Sequence, residues 1–452
     1  MSGPDLQAVV VGAGAAGLAA ALELRRRGHE TLLLDSEDRP GGVMRSDRKS
    51  GFLFERGPNT LMVKAPALSF LQRHGLELAL QPAKPAARDR CLFHDGQLTA
   101  VPMNPFAFAT SPLLTGRGKL RLLAEPFVAR GDGGGESVAE FVGRRLGPEV
   151  VERLVGPFLI GIYAGDERRL GVETVFPSLV EMERESGSIV RGAVARMVRP
   201  RGERGLRGSY SSPDGLGGLA SHMARELGEG LQLGTRVASI RREAGSWIVS
   251  ASRDGAEREI RAGALVLATD AASAAVLLRD VDAETASALD AIEYAPVVSV
   301  PLSIDPGDSR HPIQGFGFLV PREAGLDLLG ALFMSRMFSR RAPEGLELVT
   351  SMIGGARWPA VVDAADDEIL ERVYQGLDRA LGLRAAPKAL AITRWPRAVP
   401  QPGPNHVPMV RDLRARLARH PGLALAGAYL EGVSVADTLA SGVRAAGEIA
   451  RL

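Results

Sequence analysis

The chain has 452 residues, with 55 Lys and Arg against 53 Asp and Glu and a formal net charge of +2 at pH 7. This balance gives no reason to expect a nucleic-acid partner, and the length predicts two or three subdomains. Its one cysteine, Cys91, excludes an intrachain disulfide and a cysteine-based metal cluster and is typical of a reducing, cytoplasmic compartment. No window of about 18 residues is apolar and uncharged, so we predict no membrane-spanning segment.

The first predicted elements are a strand, a glycine turn and a helix. An apolar run at residues 7–11 leads directly into Gly12, Gly14 and Gly17, and a helical pattern follows at residues 18–27. Gly12 permits the sharp turn, Gly14 allows a phosphate to contact the backbone, and Gly17 brings the helix close to the strand. This spacing favours a bound dinucleotide over the alternative, a glycine-rich turn in an ordinary βαβ unit.

The residues around this turn predict how the dinucleotide is held. Ala15 and Ala16 open the helix, where the positive end of the helix dipole would bind the pyrophosphate. A second strand at residues 31–34 ends at Asp35, whose carboxylate is placed to accept the hydroxyls of an adenosine ribose. Ala15, Ala16 and Asp35 are therefore candidate cofactor-binding residues together with the three glycines.

Two elements after the second strand narrow the identity of the cofactor. They are Arg39 with Gly41 and Gly42, and then Gly57, Pro58 and Asn59. Their order resembles the FAD-binding N-terminus of the flavin amine oxidase superfamily, which carries Arg-x-Gly-Gly after the second strand and Glu-x-Gly-Pro near the flavin ring. The resemblance implies that FAD is the cofactor and that Arg39 lies near its pyrophosphate. The alternative for Arg39 is a solvated loop charge.

The middle of the chain alternates between helix and strand signals. In chain order we predict two short strands within residues 88–102, mostly helix over 104–207, a helix at 218–227, strands at 231–237, 247–250, 260–261 and 264–268, mostly strand over 297–354, and a helix at 367–381. Ser137 and Glu140 have the spacing of a capping box, which predicts a helix start. The strands between residues 231 and 268 resemble the β-meander of the superfamily, which implies that Val237 and Ala268 lie at the cofactor.

The C-terminal end predicts a strand, a glycine loop and a helix, at residues 423–426, 427–433 and 434–449. A helix whose N-terminus points at a flavin offers it partial positive charge, and the alternative is an ordinary structural closure of the sheet. The candidate cofactor contacts in this segment are Gly427, Gly432, Val433 and Ser434.

Two further stretches resemble one family within the superfamily. Residues 156–166 contain Gly161, Tyr163 and Gly165, and residues 315–355 form the second stretch. With both FAD-binding ends, they resemble the protoporphyrinogen and coproporphyrinogen oxidase family over nearly the whole chain, and the protoporphyrinogen oxidases more closely. The resemblance implies substrate contacts at Arg90, Gly161, Leu319, Leu332 and Met352.

The chemistry of these positions agrees with the implied roles. Arg90 is expected to pair with a substrate propionate, because a guanidinium fork suits a carboxylate. Leu319 and Leu332 are expected to enclose a pyrrole ring, Met352 to cover a ring face, and Gly161 to bring the backbone close to the substrate. The alternatives are a surface salt bridge for Arg90 and plain core packing for the apolar side chains.

The resemblance also implies a fold class, α/β with α+β parts, and three structural units. They are a Rossmann-like FAD-binding domain built from discontinuous segments (residues 1–85, 211–270 and 421–452), a β-sheet substrate-binding domain (residues 86–103 and 271–420), and a helical, membrane-facing subdomain (residues 104–210). Two distant ends of the chain would therefore build one cofactor site.

The implied activity is the FAD-dependent, six-electron oxidation of protoporphyrinogen IX to protoporphyrin IX, with O2 as acceptor and H2O2 as product. Oxidation of coproporphyrinogen III to coproporphyrin III stays open, since basic segments at residues 199–207 and 336–341 could serve extra carboxylates. A porphyrinogen gives up hydride with little acid–base help. The chain has no Ser/His/Asp signature and no metal-ligand spacing, so we assign no catalytic side chain and no metal.

Two other functions are weighed against this one. An amine oxidase is expected to carry Gly-Glu in the C-terminal loop and paired aromatic residues around the amine, whereas this chain has Gly427, Ala428 and one Tyr429. A carotenoid desaturase fits the sequence less well than an amine oxidase does. An alternative outside the enzymes is a non-catalytic FAD protein that carries porphyrin.

The location and assembly of the protein are open at this point. Because the substrate is apolar, residues 106–114 could form a surface that docks on the inner face of the cell membrane. The alternative is that they form a buried helix start. A cytoplasmic protein with peripheral membrane contact is the expectation, and a homodimer is left open.

Overall fold

The computed structural model describes residues 6–102, 110–131, 134–198 and 205–449. Its strands form two large sheets and two small hairpin-like pairs. In chain order they are β1 (Leu6–Val11), β2 (Thr31–Leu34), β3 (Ser46–Lys49), β4 (Phe52–Glu55), β5 (Gln81–Pro82), β6 (Arg90–His94), β7 (Gln97–Ala100), β8 (Tyr210–Ser211), β9 (Leu231–Gln232), β10 (Thr235–Glu243), β11 (Ser246–Arg253), β12 (Ala256–Leu267), β13 (Tyr294–Ile304), β14 (Gly317–Leu319), β15 (Leu328–Phe333), β16 (Glu347–Gly354), β17 (Lys388–Ala389), β18 (Thr393–Pro400) and β19 (Leu423–Leu425).

The α-helices of the described residues lie between and around these strands. They are α1 (Ala15–Arg26), α2 (Ala65–Arg73), α3 (Gly116–Leu123), α4 (Val138–Leu146), α5 (Pro148–Val150), α6 (Gly156–Tyr163), α7 (Val172–Val175), α8 (Pro177–Ser186), α9 (Ile189–Val198), α10 (Gly215–Leu227), α11 (Ala271–Leu278), α12 (Ala283–Asp290), α13 (Met334–Met337), α14 (Asp366–Leu381), α15 (His406–Leu417), α16 (Ala428–Glu431) and α17 (Val435–Ile449). A π-helical turn at Val151–Val155 joins α5 to α6.

Parallel strands form the centre of the first sheet. Its order is β10-β11-β12-β1-β2-β9, and β19 also pairs with β12. Strands β1, β2, β9, β12 and β19 run parallel, so Val11, Leu34, Leu267 and Leu425 end at the same edge. Helices α1 and α17 pack on one face, and α11, α12 and α15 pack on the other. Ligands of such sheets bind at the edge where the parallel strands end.

Two parts of this sheet differ from the sequence-based prediction. The single strand predicted at residues 231–237 is two strands, β9 and β10, which pair with β2 and β11. The short strands predicted at residues 260–261 and 264–268 belong to the single strand β12. Its first half pairs with β11, and its second half lies between β1 and β19. Ala262 and Gly263 separate the two predicted strands in the sequence, but Ala262 pairs with Leu6 on one side and with Trp247 on the other. The meander therefore runs into the parallel sheet without a break.

The second sheet presents two different faces. Its order is β17-β13-β16-β15-β14-β6-β7, β18 also pairs with β13, and β6 with β14 is its parallel pair. One face packs on α14 in an apolar core that includes Val298, Val349 and Leu377. The other face meets Ile160 of α6 and Phe54 of β4. That second face carries the candidate substrate positions.

The helical part is organised around a buried ion pair. The predicted capping box is confirmed, since Ser137 accepts from the Glu140 backbone amide at 3.2 Å and the Glu140 side chain accepts from the Ser137 amide at 2.8 Å. Arg145 is fully buried and pairs with Glu125, which also accepts a hydrogen bond from the Ser188 hydroxyl. These contacts fix the helix that follows Ser137 against the start of α9.

The docking segment predicted at residues 106–114 lies only partly within the described ranges. Residues 106–109 lie outside them, and Leu113 and Leu114 are buried, so these two side chains do not form an exposed docking surface. Burial is the ordinary state of apolar side chains, and Leu114 belongs to the apolar core of the helical part. Among the described helices, none is both long enough and apolar enough to cross a bilayer.

Glu23 in α1 makes the stability of the first sheet depend on pH. Burial acts to raise its pKa, but a hydrogen bond from Arg26 and the charge of Arg73 outweigh it and lower the pKa to about 2, from an ordinary value of 4.5. A lowered pKa stabilises the fold above about pH 4.5, and this stabilisation is lost as the pH falls toward 2. We therefore expect Glu23→Gln to lower the free energy of unfolding at pH 7 but to change it little near pH 2, in urea titrations at both values. A difference of the same size at both pH values would contradict this.

Candidate functional site

The glycine turn after β1 leaves open space in front of α1. A Cβ on Gly12, whose φ is +103°, would lie 2.8 Å from the carbonyl oxygen of Ala268. A Cβ on Gly17 would lie 1.7 Å from the carbonyl oxygen of Gly12, so only glycine fits there. A Cβ on Gly14 would meet no heavy atom within 4 Å. The space at the helix N-terminus next to Gly14 therefore fits a pyrophosphate.

The paired glycines lie directly against this turn. The Gly41 amide donates to the Ala13 carbonyl at 2.8 Å, and a Cβ on Gly42 would lie 3.2 Å from the Cα of Gly14. Asp35 accepts from the Ala13 amide at 2.5 Å and from the Glu37 amide at 2.8 Å. Each carboxylate oxygen of Asp35 keeps a second lone pair, so the residue can still accept ribose hydroxyls.

Two arginines follow the second strand, and the structure adds Arg45, which pairs with Glu37 at 2.8 Å, as a second candidate beside Arg39. Arg39 lies 3.7 Å from Asp47 and is the more exposed of the two. Arg45 donates through Nε to the Gly42 carbonyl at 2.9 Å, and its guanidinium lies 5.3 Å from the centre of the Trp395 ring. Arg45 is therefore a further candidate cofactor contact. Its position three residues after Gly42 is the sequence feature that could have indicated this role.

The Gly57 to Asn59 element contains a buried oxygen without a partner. A Cβ on Gly57 would lie 2.1 Å from the Val43 carbonyl oxygen, which explains the need for glycine. The Nδ2 of Asn59 donates to the Gly57 carbonyl at 3.2 Å, whereas its buried Oδ1 has no hydrogen-bond partner among the described residues. A buried acceptor of this kind fits a hydrogen bond from a bound group. Pro58 lies between the two.

The C-terminal loop reaches the same turn through α17. The Gly427 amide donates to the Ser441 hydroxyl at 3.1 Å, and a Cβ on Gly442 would lie 2.0 Å from the Ala16 carbonyl oxygen. Ser434 accepts from the Asp437 amide at 3.1 Å and so caps the helix. The loop that contains Gly432 and Val433 lies between these contacts along the chain. The residues at both ends of the chain that we predicted to bind the cofactor are therefore neighbours.

Ala268 and Val237 lie near the same edge of the first sheet. The Ala268 amide donates to the Val11 carbonyl at 2.8 Å, and Ala268 contacts the glycine turn as described. Val237 is in β10, whose first residue, Thr235, donates its amide to the Asp35 carbonyl at 2.7 Å. The adenine end predicted for Val237 is thus next to the candidate ribose-binding carboxylate.

The apolar candidate substrate residues share one face of the second sheet. Leu319 pairs with Gly330, and Gly330 pairs with Met352, so they form one row across three strands. Leu332 lies in the next row, paired with Gly317. Directly paired residues point to the same side of a sheet, as do residues two apart on a strand. Leu319, Leu332 and Met352 are all partly exposed on that side.

Helix α6 lies against this face because position 161 has no side chain. A Cβ on Gly161 would lie 2.8 Å from the Cδ2 of Leu319. The π-helical turn before α6 precedes Pro157, whose ring nitrogen cannot donate a helix hydrogen bond. Tyr163, at the end of α6, is buried, and this burial raises the pKa of its hydroxyl to about 12. Tyr163 therefore stays neutral at physiological pH.

Arg90 lies on the same face, at its outer end. In the parallel register of β6 and β14 it pairs with Gly317, which places it in the row of Leu332. Its guanidinium lies 4.7 Å from the centre of the Phe316 ring, and no ion pair joins it to a carboxylate of the described residues. Together with Lys64 it lines a cleft of about 540 Å³. Arg90 is thus a cation available to an anionic ligand.

Two arginines of the basic segment at residues 336–341 are already held by carboxylates of the protein. Arg341 is fully buried, with its Nη1 3.0 Å from the Oε1 of Glu55. Arg336 lies 2.5 Å from a carboxylate oxygen of Glu347. Arg341 is therefore not available to a substrate carboxylate, because Glu55 holds it inside the protein. Arg336, Arg340 and, in the other segment, Arg207 are exposed, so further contacts to substrate carboxylates stay a prediction. Residues 199–204 of the other segment lie outside the described residues.

Glu55 joins strand β4 to helix α10 and to the loop that contains Arg341, a role that the sequence reasoning missed. Besides Arg341, it accepts from the Ser46 hydroxyl at 2.5 Å and from the Leu216 amide at 3.1 Å. Burial raises the pKa of this carboxyl, and these donors act against that rise. A glutamate that ends the apolar strand Phe52–Glu55 was the sequence signal. Across the described residues, no group of three or more His, Cys, Asp or Glu side chains could hold a metal ion.

Comparisons with known proteins agree with this geometry. Residues 15–450 match the family described as flavin containing amine oxidoreductase. The chain is 29% identical to protoporphyrinogen oxidase 2 of Arabidopsis thaliana (97% of this chain, 92% of that protein). It is 31% identical to the human protoporphyrinogen oxidase (97% of each chain) and 27% identical to coproporphyrinogen III oxidase of Bacillus subtilis (98% and 97%).

Solved structures show the same fold. A crystal structure from Exiguobacterium sp. 255-15, which carries a provisional protoporphyrinogen oxidase name, superposes with a TM-score of 0.83 at 24% identity over 100% of both chains. Cyclohexylamine oxidase from Brevibacterium oxydans superposes with a TM-score of 0.72 at 18% identity over 99% of both. With the match over residues 15–450, these findings place the chain in the flavin-containing amine oxidoreductase family, as an FAD-dependent oxidoreductase.

Proposed function

We propose that this enzyme oxidises a porphyrinogen to the porphyrin, with protoporphyrinogen IX as substrate, molecular oxygen as acceptor and hydrogen peroxide as product. The observation that carries the proposal is the partly exposed apolar face formed by Leu319, Leu332 and Met352, with the unpaired Arg90 at its outer end. A large apolar macrocycle with acidic substituents needs such a surface. The names of the protoporphyrinogen oxidase relatives support the proposal.

In this proposal the chain acts by binding and orienting the substrate. FAD, when bound, supplies the hydride acceptor. The apolar side chains hold the macrocycle, Gly161 allows α6 to approach Leu319, and Arg90 fixes a propionate. Tyr163 keeps its proton at neutral pH and therefore is not a base. The proposed FAD-binding unit consists of residues 1–85, 211–270 and 421–452. A homodimer stays a hypothesis.

The substrate is tested by comparing two porphyrinogens. Purified enzyme with bound FAD is mixed anaerobically with protoporphyrinogen IX or coproporphyrinogen III, and flavin absorbance is followed. Aerobic turnover is then measured by porphyrin fluorescence and peroxide release. We expect faster flavin reduction and turnover with protoporphyrinogen. Preference for coproporphyrinogen would establish the alternative that the Bacillus subtilis relative supports. If neither substrate reduces the flavin, the proposed function is contradicted. That result would favour the alternative of a non-catalytic FAD protein that carries porphyrin.

An amine oxidase is disfavoured by the C-terminal loop. Tyr429, its one aromatic residue, is fully buried, and its hydroxyl has no partner among the described residues. A ring in that position cannot enclose a substrate amine. Ala428 replaces the glutamate that the amine oxidase pattern requires. Amines are therefore the control substrates in the same anaerobic assay, and we expect no flavin reduction by them.

Arg90→Ala is expected to raise the KM for a porphyrinogen roughly 10- to 100-fold, because a hydrogen bond to a charged group contributes about 1.5–3 kcal/mol. The kcat should change little, because a propionate lies far from the reacting carbon. Arg90→Lys keeps the charge without the fork and should give an intermediate KM. Arg411→Ala is the matched control, since Arg411 is an exposed arginine of α15. An unchanged KM for Arg90→Ala would contradict the assignment of the cleft beside Arg90 and Lys64 as the site that binds the substrate carboxylate.

Cytoplasmic location with peripheral contact to the inner membrane face is proposed as well, through α3 and the turn that follows it. Leu120, Leu123 and Phe127 are 70%, 73% and 86% exposed, and Arg117 and Lys119 are on the same helix. Exposed apolar side chains beside basic residues are typical of binding to anionic lipid surfaces.

The double variant Leu123→Asp/Phe127→Asp tests this surface. We expect it to lower sedimentation with vesicles that contain anionic lipid by roughly tenfold or more, since each apolar side chain contributes about 1.5–3 kcal/mol when buried. Leu78→Asp is the control, because Leu78 is 86% exposed outside the helical part. Equal sedimentation of wild type and double variant would contradict the proposal.

A further inference from the structure

Three buried hydroxyls on the candidate substrate face have no hydrogen-bond partner in the described structure. Ser299, Thr350 and Thr393 are 3%, 0% and 9% exposed, and their side-chain oxygens are unpaired. An unsatisfied buried hydroxyl costs about 1–3 kcal/mol. Buried polar groups are therefore nearly always satisfied, by protein atoms or by ordered water. Three such exceptions on one face call for a common explanation, whereas the neighbouring unpaired hydroxyl of Ser351 points to the opposite face.

The three residues are neighbours across the strands. Ser299 in β13 pairs with Met352 of β16 on one side and with Thr393 of β18 on the other. Thr350 is two residues from Met352 on β16, so it points to the same side in the next row. Directly opposite Cβ atoms lie about 4.5–5.5 Å apart, and diagonal ones about 7–8 Å. One or two water molecules can therefore bridge the hydroxyls, which we call the hydroxyl patch.

The hydroxyl patch is the polar centre of an otherwise apolar surface. On one side lie Ile160, Ala164 and Met352, and on the other lie Phe54 and Leu332. In the two rows that run through all four strands β14, β15, β16 and β13, the side chains on this face are apolar or glycine apart from Ser299 and Thr350. Water held there would contact a substrate that lies on this face.

We propose that the hydroxyl patch holds ordered water and that this water accepts the protons released during porphyrinogen oxidation, an inference that rests on the proposed function. Each two-electron step removes a hydride from a bridging carbon and a proton from a pyrrole nitrogen, and the shift of one proton from the fourth bridging carbon to a pyrrole nitrogen completes the porphyrin. The hydride goes to FAD, and the proton goes to the water. When oxygen takes the two electrons to form peroxide, one proton is consumed, so three steps balance without an external acid. Hydroxyls suit this task because each can donate and accept.

The hydration is tested by the sign of a stability change. In a dry site, Thr350→Val and Thr393→Val remove an unsatisfied group and should raise the melting temperature. In a hydrated site they leave water unpaired and should lower it, and that is the result we expect, also for Ser299→Ala. Ser351→Ala is the matched control: Ser351 is buried and unpaired on the opposite face, within the apolar core. We expect no decrease there, and increases in all the patch variants would overturn the proposal.

The proton transfer is tested by anaerobic flavin reduction in H2O and D2O. We expect Thr350→Val/Thr393→Val to slow reduction by porphyrinogen roughly tenfold or more and to increase the solvent isotope effect, with KM unchanged. Ser351→Ala should behave as wild type. A wild-type rate and isotope effect in the double variant would overturn the role in proton transfer. If porphyrinogen does not reduce the wild-type flavin, the proposed function fails, while the melting temperatures still decide the hydration.

Discussion

An alanine at position 14 is expected to weaken FAD binding roughly 10- to 100-fold while leaving the apoprotein as stable as the wild type. The backbone of Gly14 is extended, with φ −72° and ψ −176°, so alanine can adopt it. Its Cβ would meet no protein atom within 4 Å. The methyl group would instead occupy the place of the pyrophosphate, and overpacking of this kind costs about 1–3 kcal/mol. Titration of the apoprotein with FAD, followed by flavin fluorescence, measures the affinity.

Gly17→Ala provides the contrast within the same turn. A Cβ there would lie 1.7 Å from the Gly12 carbonyl oxygen, so we expect this variant to lose the fold of the turn and yield little soluble protein. Thermal unfolding of both apoproteins separates the two effects. Wild-type FAD affinity in a folded Gly14→Ala variant would show that the pyrophosphate does not contact this backbone.

Arg341→Leu is expected to destabilise the protein by about 3–5 kcal/mol, because it leaves Glu55 as an unpaired buried charge. Burial already raises the pKa of Glu55, and loss of the arginine raises it further. When the pKa of a carboxyl is higher in the folded state than in the unfolded state, its protonation stabilises the fold at low pH. This stabilisation is lost as the pH rises. The destabilisation of Arg341→Leu should therefore be smaller at pH 5 than at pH 8. Denaturant unfolding at both values measures it.

A double-mutant cycle tests whether the effect belongs to the pair. Glu55→Leu/Arg341→Leu removes both charges and should be less destabilised than either single variant, because neither charge is left unpaired. Arg48→Leu is the surface control, since Arg48 pairs with Asp214 at an exposed site, and we expect little change. Additive single effects in the cycle would contradict a direct interaction between Glu55 and Arg341.

Local signals carried most of the fold prediction. The strand, turn and helix around Gly12, Gly14 and Gly17 are readable because each glycine answers a steric demand within a few residues. The capping box of Ser137 and Glu140 is local for the same reason. Strand β12 was divided in the prediction because its continuity depends on partners far away in the sequence, at β1, β11 and β19.

Side-chain partners were predicted less well than elements. Arg39 and Arg45 are both arginines near paired glycines, and only the packing shows that Arg45 contacts Gly42 and Trp395. Arg341 belongs to an exposed-looking basic segment, yet it is buried against Glu55, 286 residues away in sequence. A charged side chain is buried only where partners of opposite charge compensate it, and the sequence does not show which residues fold beside it.

The sequence by itself determined the candidate FAD-binding residues, because the glycines, Asp35 and the C-terminal helix follow local rules of turn and helix geometry. It also supplied, through family resemblance, the five candidate substrate positions. Only the tertiary structure decided that Arg90, Leu319, Leu332 and Met352 share one face, since strand register is set by pairing between distant segments. The same register groups the unpaired hydroxyls at the centre of that face, where no sequence motif marks them.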